Sequence, residues 1–264
     1  MEFSLAGGVG GPFDTRDDLA AYLEAVASAG FSAVSLGAQQ LAAAGEGTEA
    51  LRAVAGLLAR SGLRCSDVMA LRVVRDDDRT LQAAGEMARS VEALGARFVL
   101  TLVNTRLSEE SVDRLGRCAE IVGSAGARLA IEFVPGGPVD RIESAVRLVE
   151  QLGADRAGIL IDSWHFFFGA SGWDELEAVP LDLIAMVQFD DALAPIGADV
   201  MTETMDRRTW PGDGTLDLPR FASCLTKRGW DGLVSVEVLS AEHRALDAAT
   251  FAIRAMETSR PYWT

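Results

Sequence analysis

Eight times along its length the chain repeats one arrangement: a short apolar run that reads as a buried strand, then a helix-length stretch with apolar residues three and four apart, usually closed by a glycine. The strand runs fall at 3–7, 31–36, 64–71, 97–103, 128–134, 157–161, 184–189 and 233–238. Between them lie stripes such as Leu19, Leu23 and Val26, then Val54, Leu57 and Leu58, then Leu81, Ala84 and Val91, then Val112, Leu115, Ala119 and Val122. The first of these helices opens at Asp14 or Thr15; later ones are expected at 141–152, 218–228 and 242–256, with a short one at 174–178. Gly30, Gly62, Gly95, Gly126, Gly153 and Gly229 stand where helices should stop. Parallel strands need a crossover between neighbours, and a helix supplies it. Strict alternation therefore predicts an α/β protein folded as a single (β/α)8 TIM barrel, one domain over residues 1–264. A doubly wound open sheet would want G-x-G-x-x-G after its first strand. The sequence there, GGVGGP, does not supply it, and the cluster is given no cofactor role.

Charge narrows the partners. With 24 Lys+Arg against 39 Asp+Glu the formal charge is -15, a field that repels nucleic acid and anionic lipid, and no basic cluster reverses it. Three widely spaced cysteines, Cys65, Cys118 and Cys224, suggest neither a disulfide framework nor a zinc knuckle. No apolar run reaches the length of a membrane span, and the first residues lack the features of a signal peptide. A cytoplasmic protein with a small-molecule substrate is expected; no nucleic acid or membrane partner is, and a homo-oligomer stays open.

A barrel gathers the side chains at the C-terminal ends of its strands into one mouth. Four consecutive apolar runs each place an oxygen-bearing residue there: Glu132 in RLAIEFV, Asp162 in ILIDSWH, Gln188 in AMVQFDDA and Glu237 in LVSVEVLS. Converging carboxylates repel one another unless a cation joins them, and hard oxygen donors suit Mg2+ or Mn2+ better than zinc. Such a set would leave positions open for a substrate oxygen. Asp162 also suits the cap of the turn that follows, and His165 is the titratable group nearest to it in sequence.

The segments LAIEFVPGG, LIDSWHFF, VQFDDA, MDRRTWPGDGTLDLPRF and GLVSVEVLS resemble the xylose isomerase-like TIM-barrel superfamily of sugar phosphate isomerases and epimerases, most strongly over residues 128–240. The resemblance implies a divalent metal on Glu132, Asp162, the strand-seven residue and Glu237, with the D-x-x-H histidine, here His165, beside it. The family's usual strand-seven histidine is Gln188 in this chain. A Glu, Asp, Gln, Glu set is similar to that of the 3-dehydroshikimate dehydratase branch, which brings a lyase in beside an isomerase.

What the resemblance implies is proton abstraction next to a carbonyl on a hydroxylated substrate, sugar-like or a cyclic polyol ketone, by an isomerase or epimerase; the alternatives are a dehydratase and a non-catalytic barrel subunit. Glu132 and Glu237 are candidate bases. His165 is a third catalytic candidate, as base, as donor to a leaving hydroxyl, or as the residue that orients Asp162 or the substrate. Arg208, with Arg207 as the alternative, would grip the substrate, and Trp164 and Trp210 would wall it. Asp191 is expected to orient ligands and Asp190 to face solvent.

Overall fold

A computed structural model describes residues 1–6, 13–197 and 199–264, so the GGVGGP segment lies outside the described residues. The chain runs β1 (Glu2–Leu5), α1 (Arg16–Ser28), β2 (Ala33–Gly37), α2 (Ala38–Ala43), α3 (Gly47–Ser61), β3 (Arg64–Val73), α4 (Asp77–Leu94), β4 (Phe98–Val103), α5 (Glu109–Ser124), β5 (Arg128–Glu132) and α6 (Ile142–Leu152). It continues with β6 (Ala157–Asp162), α7 (Ser163–Phe168), α8 (Trp173–Ala178), β7 (Ile184–Phe189), β8 (Asp191–Ala192), α9 (Val200–Asp206), β9 (Arg208–Thr209), α10 (Leu218–Thr226), β10 (Leu233–Val236) and α11 (Ala248–Ser259). Eight of these strands close in the order β1-β10-β7-β6-β5-β4-β3-β2, every pair parallel. This is the TIM barrel that the alternation predicts.

Local chemistry explains the elements. Thr15 caps α1 by accepting from Asp18 N, while Asp18 returns the bond to the Thr15 backbone, which decides the start in favour of Thr15 over Asp14. Gly62 and Gly95 end α3 and α4 in the left-handed conformation, with φ of 71° and 66°. The last helix begins later than the expected 242: residues 243–245 form a single 3-10 turn, and Asp247 caps α11 by accepting from Thr250 N. Strand β1 ends at Leu5 and β10 at Val236, both shorter than the apolar runs that contain them.

Alternation along each strand divides the core in two. Leu5, Val34, Leu36, Ile131, Ile161, Val187, Val234 and Val236 face outward into the layer between strands and helices. Leu100, Ala130, Leu160, Met186 and Leu233 form a separate cluster inside the barrel. Phe98 and Leu102 pack against that cluster, and polar side chains share the interior with it. Ser4, Ser35, Ser66, Asp67 and Ser235 are all buried, with Ser35 donating to Asp67 at 2.6 Å, Ser66 to Asp67 at 2.7 Å, and Ser4 and Ser66 2.7 Å apart.

Candidate metal centre

Above this interior, the C-terminal ends of β5, β6, β7 and β10 carry the four oxygen donors. Each donor alternates with outward-facing neighbours, Ile131 and Phe133 around Glu132 and Val236 and Val238 around Glu237, so each turns inward. Asp162 and Gln188 are direct register partners, and Ser235, two residues before Glu237, pairs with Gln188. Glu132, Asp162, Gln188 and Glu237 are all buried.

His165 joins them because of how α7 starts. Asp162 Oδ1 accepts from His165 N at 2.8 Å, the N-cap bond of that helix, so the same carboxylate that ends the strand sets the histidine one turn on. His165 Nδ1 then stands 3.1 Å from Glu132 Oε1, off the line a hydrogen bond requires. One ligand atom each from Glu132, Asp162 and His165 lies within 4.8 Å of the other two.

Gln188 Nε2 donates to Glu237 Oε1 at 3.1 Å, which leaves Gln188 Oε1 buried and without a hydrogen-bond partner. An orphaned acceptor in a dry site is costly. Together with the carboxylates around it, this atom fits a divalent cation: the donor set is oxygen plus one imidazole nitrogen, and it is short of positive charge.

Arg208 already stands among these acids. Its Nη1 donates to Asp162 Oδ2 at 2.8 Å and to Asp190 Oδ2 at 2.5 Å, and reaches Glu237 Oε2 at 3.4 Å. Thr204 anchors it, the carbonyl accepting from Nε at 3.0 Å and the hydroxyl from Nη2 at 2.8 Å. Burial opposes charge on Asp162, but Arg208 and His165 outweigh it and hold the carboxyl below its usual range. Burial, against the pull of Arg208 and with Asp162, Glu132 and Asp190 adding to it, pushes Glu237 up to about 8. Burial likewise pushes Asp190 up to about 7. Burial disfavours the imidazolium of His165, yet Asp162 and Glu132 prevail and raise its pKa.

Asp190 corrects the expectation that it faces solvent. It is fully buried, taking Ser163 Oγ at 2.7 Å as well as Arg208. Strand parity carries the signal: Asp190 lies two residues beyond Gln188 and shares its inward side. Asp191 holds a loop instead. It accepts from Gly212 N, Gly214 N, Leu216 N and its neighbour Ala192 N at 2.8–3.1 Å, which gathers the WPGDG turn. A Cβ at Gly214 would collide with the Asp191 carboxylate and the Ala192 carbonyl, so this approach requires glycine.

The remaining residues separate clearly. Trp164 lies beside the centre, edge-on to His165 with centroids 5.5 Å apart and 5.4 Å from the Arg208 guanidinium. Trp210 is taken up in packing, stacked on His243 at 4.5 Å and against Phe251 at 4.7 Å. Arg207 pairs with Glu203 at 2.9 Å and donates to the Ala194 carbonyl at 2.7 Å, away from the acids. Thr204, unmarked in the sequence reading, belongs to the site as the anchor of Arg208.

A parallel barrel whose mouth is lined by buried hard-oxygen donors from four adjacent strands defines a class of protein by fold and site together. The chain belongs to the xylose isomerase-like TIM barrel family, whose model matches residues 23–258. It is 30% identical over 173 residues to an inosose isomerase of Bacillus subtilis, a match that covers 61% of this chain and 61% of that one. It is 28% identical over 237 residues to a 3-dehydroshikimate dehydratase of Pseudomonas aeruginosa, covering 84% of this chain and 36% of the relative. The matches therefore span about 60% of the length of the inosose isomerases and about a third of that dehydratase. A crystal structure of the IolI protein with a bound zinc atom superposes with a TM-score of 0.84 at 22% identity, over 100% of this chain and 98% of that one, which shows the shared fold.

Proposed function

We propose that the protein is a divalent-metal-dependent isomerase that moves a proton next to the carbonyl of a small cyclic polyol ketone. The observation that carries this reading is the meeting of Glu132, Asp162 and His165 within 4.8 Å at the barrel mouth. The inosose isomerase relatives support the substrate class, since an inosose is a polyhydroxylated cyclic ketone. Glu132 and Asp162 would hold the metal, with His165 or the unpartnered Gln188 Oε1 as neutral donors and Glu237, outside the 4.8 Å group, as the fourth strand's carboxylate. When bound, the ion supplies a Lewis acid that polarises the substrate carbonyl. Mn2+ and Mg2+ fit the oxygen donors; the zinc of the IolI structure makes Zn2+ a third candidate.

The chain's own groups divide the proton work. Strand order β10-β7-β6-β5 sets Glu237 and Glu132 on the two flanks of the Asp162–Gln188 pair. Either carboxylate could thus take the proton from carbon and return it at the former carbonyl carbon, while the neighbouring hydroxyl gives up its proton and the former carbonyl oxygen gains one. His165, facing Glu132, steadies the carboxylate or donates to a substrate oxygen. Arg208 grips a hydroxyl, and the Trp164 ring walls the pocket on that side.

One observation favours a second reading. Gln188 in the strand-seven place, with dehydratases among the relatives, suits loss of a hydroxyl after proton removal, His165 protonating the leaving oxygen. The two readings part in one experiment. The chain reconstituted with Mn2+, Mg2+ or Zn2+ is incubated with an inosose and with 3-dehydroshikimate in D2O and followed by proton NMR. Deuterium at carbon beside the carbonyl with the ring hydroxyls retained supports the isomerase; an aromatic product from 3-dehydroshikimate supports the dehydratase. Glu237→Gln lowers turnover roughly 100-fold or more in either case. Unchanged turnover in this variant would remove Glu237 from the chemistry.

A further inference from the structure

Arg208 has little left to offer a substrate. A guanidinium carries five N–H groups. The one on Nε goes to the Thr204 carbonyl, those on Nη1 go to Asp162 and Asp190, and one on Nη2 goes to the Thr204 hydroxyl. The last remains on Nη2, which lies 3.5 Å from His165 Nε2. A single N–H beside His165 holds one hydroxyl at the reacting end of a ring and leaves the other edge of that ring to another residue.

Across the mouth stands a second guanidinium. Arg72 lies near the C-terminal end of β3 between Leu71 and Val73, both packed in the outer layer, so strand alternation turns it inward. It is nevertheless exposed where both neighbours are buried, which places its side chain in the open mouth. Among the described residues no hydrogen bond, ion pair or ring contact holds it. The register runs from Glu132 to Leu102 on β4 and from Leu102 to Arg72. The arginine therefore stands level with Glu132, two strands and about 10 Å away along the barrel wall. Leu102, between them, packs against the interior apolar cluster and gives that part of the wall a hydrocarbon face.

We infer that Arg72 is the specificity-determining residue of the site: its guanidinium fork grips two neighbouring hydroxyls on the edge of the cyclic polyol ketone that lies away from the carbonyl. The inference rests on the isomerase reading above and extends it to the part of the substrate that is recognised. The fork is planar, and its parallel donors match two oxygens side by side. Glu132, Asp162, Asp190 and Glu237 are all buried at this mouth, so a substrate with a carboxylate of its own enters against them, whereas a neutral polyol does not. The contact lies away from the reacting carbons. It is made equally in the bound substrate and in the transition state, and it shows in KM rather than in kcat.

The test is steady-state kinetics of the metal-loaded full chain with an inosose and with a deoxy analogue that lacks the hydroxyl opposite the carbonyl, for wild type and Arg72→Ala. Calorimetric titration with myo-inositol, which keeps the ring hydroxyls without the carbonyl, gives a readout independent of turnover. Arg72→Ala is expected to raise KM about tenfold, to leave kcat within about twofold, and to weaken myo-inositol as much as it raises KM. Loss of the hydroxyl is expected to raise KM in wild type and to add little in Arg72→Ala, a coupling that a change of general field or of folding does not produce. Arg79→Ala, which removes the same charge from an exposed position on α4, is expected to leave KM unchanged. An unchanged KM in Arg72→Ala, an undiminished deoxy penalty in that variant, or an equal rise in Arg79→Ala would overturn the inference while leaving the isomerase standing. Turnover of 3-dehydroshikimate that depends on Arg72 would assign the fork to a carboxylate and overturn it as well. If wild type neither turns over the inosose nor binds myo-inositol, the isomerase reading itself fails and the inference with it.

Discussion

Asp67 has hydroxyls for partners where a carboxylate this deep would ordinarily take a cation. Burial raises its pKa, although the bonds from Ser35 and Ser66 and the charge of Arg97 pull the other way. The folded protein thus holds a proton that the unfolded chain releases near 3.8. Its stabilising contribution is complete below that value and is lost as pH rises through the higher folded-state pKa. Asp67→Asn keeps the shape and removes the titration. Urea midpoints measured from pH 4 to 8 should show wild type losing ground to the variant as pH rises, by about 1.4 kcal/mol for each pH unit crossed before Asp67 ionises. A wild type that gains on the variant with rising pH would show that the carboxylate is stabilised as the anion. Strand parity marks Asp190, but not Asp67, which follows a register shift between Cys65 and Asp67; aspartates also cap helices elsewhere in the chain, and Ser35 and Ser163, which give these two their meaning, are far away in sequence.

Between β7 and β10 the chain departs from the simple strand–helix rhythm, and this excursion carries Arg208. Its two short strands pair antiparallel, Asp191 with Thr209 and Ala192 with Arg208, and Arg208 N also donates to the Leu239 carbonyl at 3.0 Å. The Asp191 carboxylate organises the loop beyond through its four backbone partners. Asp191→Ala leaves those N–H groups without their acceptor, at about 1–3 kcal/mol for each that stays buried. The expected result is local: roughly tenfold faster protease cleavage within 193–216 and a matching loss of activity, with the global transition moved far less. An equal fall in global stability would make Asp191 a residue of the whole barrel. Helix-ending glycines such as Gly62 and Gly95 were legible from the sequence, because capping is decided within a few residues. Helices α2, α7 and α9 were not: each has seven residues or fewer, too short for a stripe to repeat, and holds its form through tertiary contacts.

At the scale of the molecule, one apolar layer runs around the barrel from Leu5 to Trp263, and among the described residues no helix is long and apolar enough to cross a membrane. That continuity predicts a single cooperative unfolding transition, followed by calorimetry. A cation held across four strands should raise its midpoint. At a hundredfold excess over the dissociation constant the gain is about 2.7 kcal/mol, or roughly 5–10 °C for a chain of this size, and chelation should reverse it. Two resolved transitions would divide the domain, and an unmoved midpoint would argue against a resident metal.

The order of the strands, the barrel they form and the inward placement of Glu132, Asp162, Gln188 and Glu237 were all present in the residue pattern. Each depends on a period, two for strands or 3.6 for helices, that backbone hydrogen bonding imposes within a few positions. The contacts between those acids and their partners follow a different rule. That Arg208 lies among Asp162, Asp190 and Glu237, that His165 faces Glu132, and that Trp210 packs on His243 depend on closing the barrel and folding the 191–216 excursion across its mouth. Charge pairing is settled by distances of about 3 Å between groups far apart in sequence, and no local period encodes them.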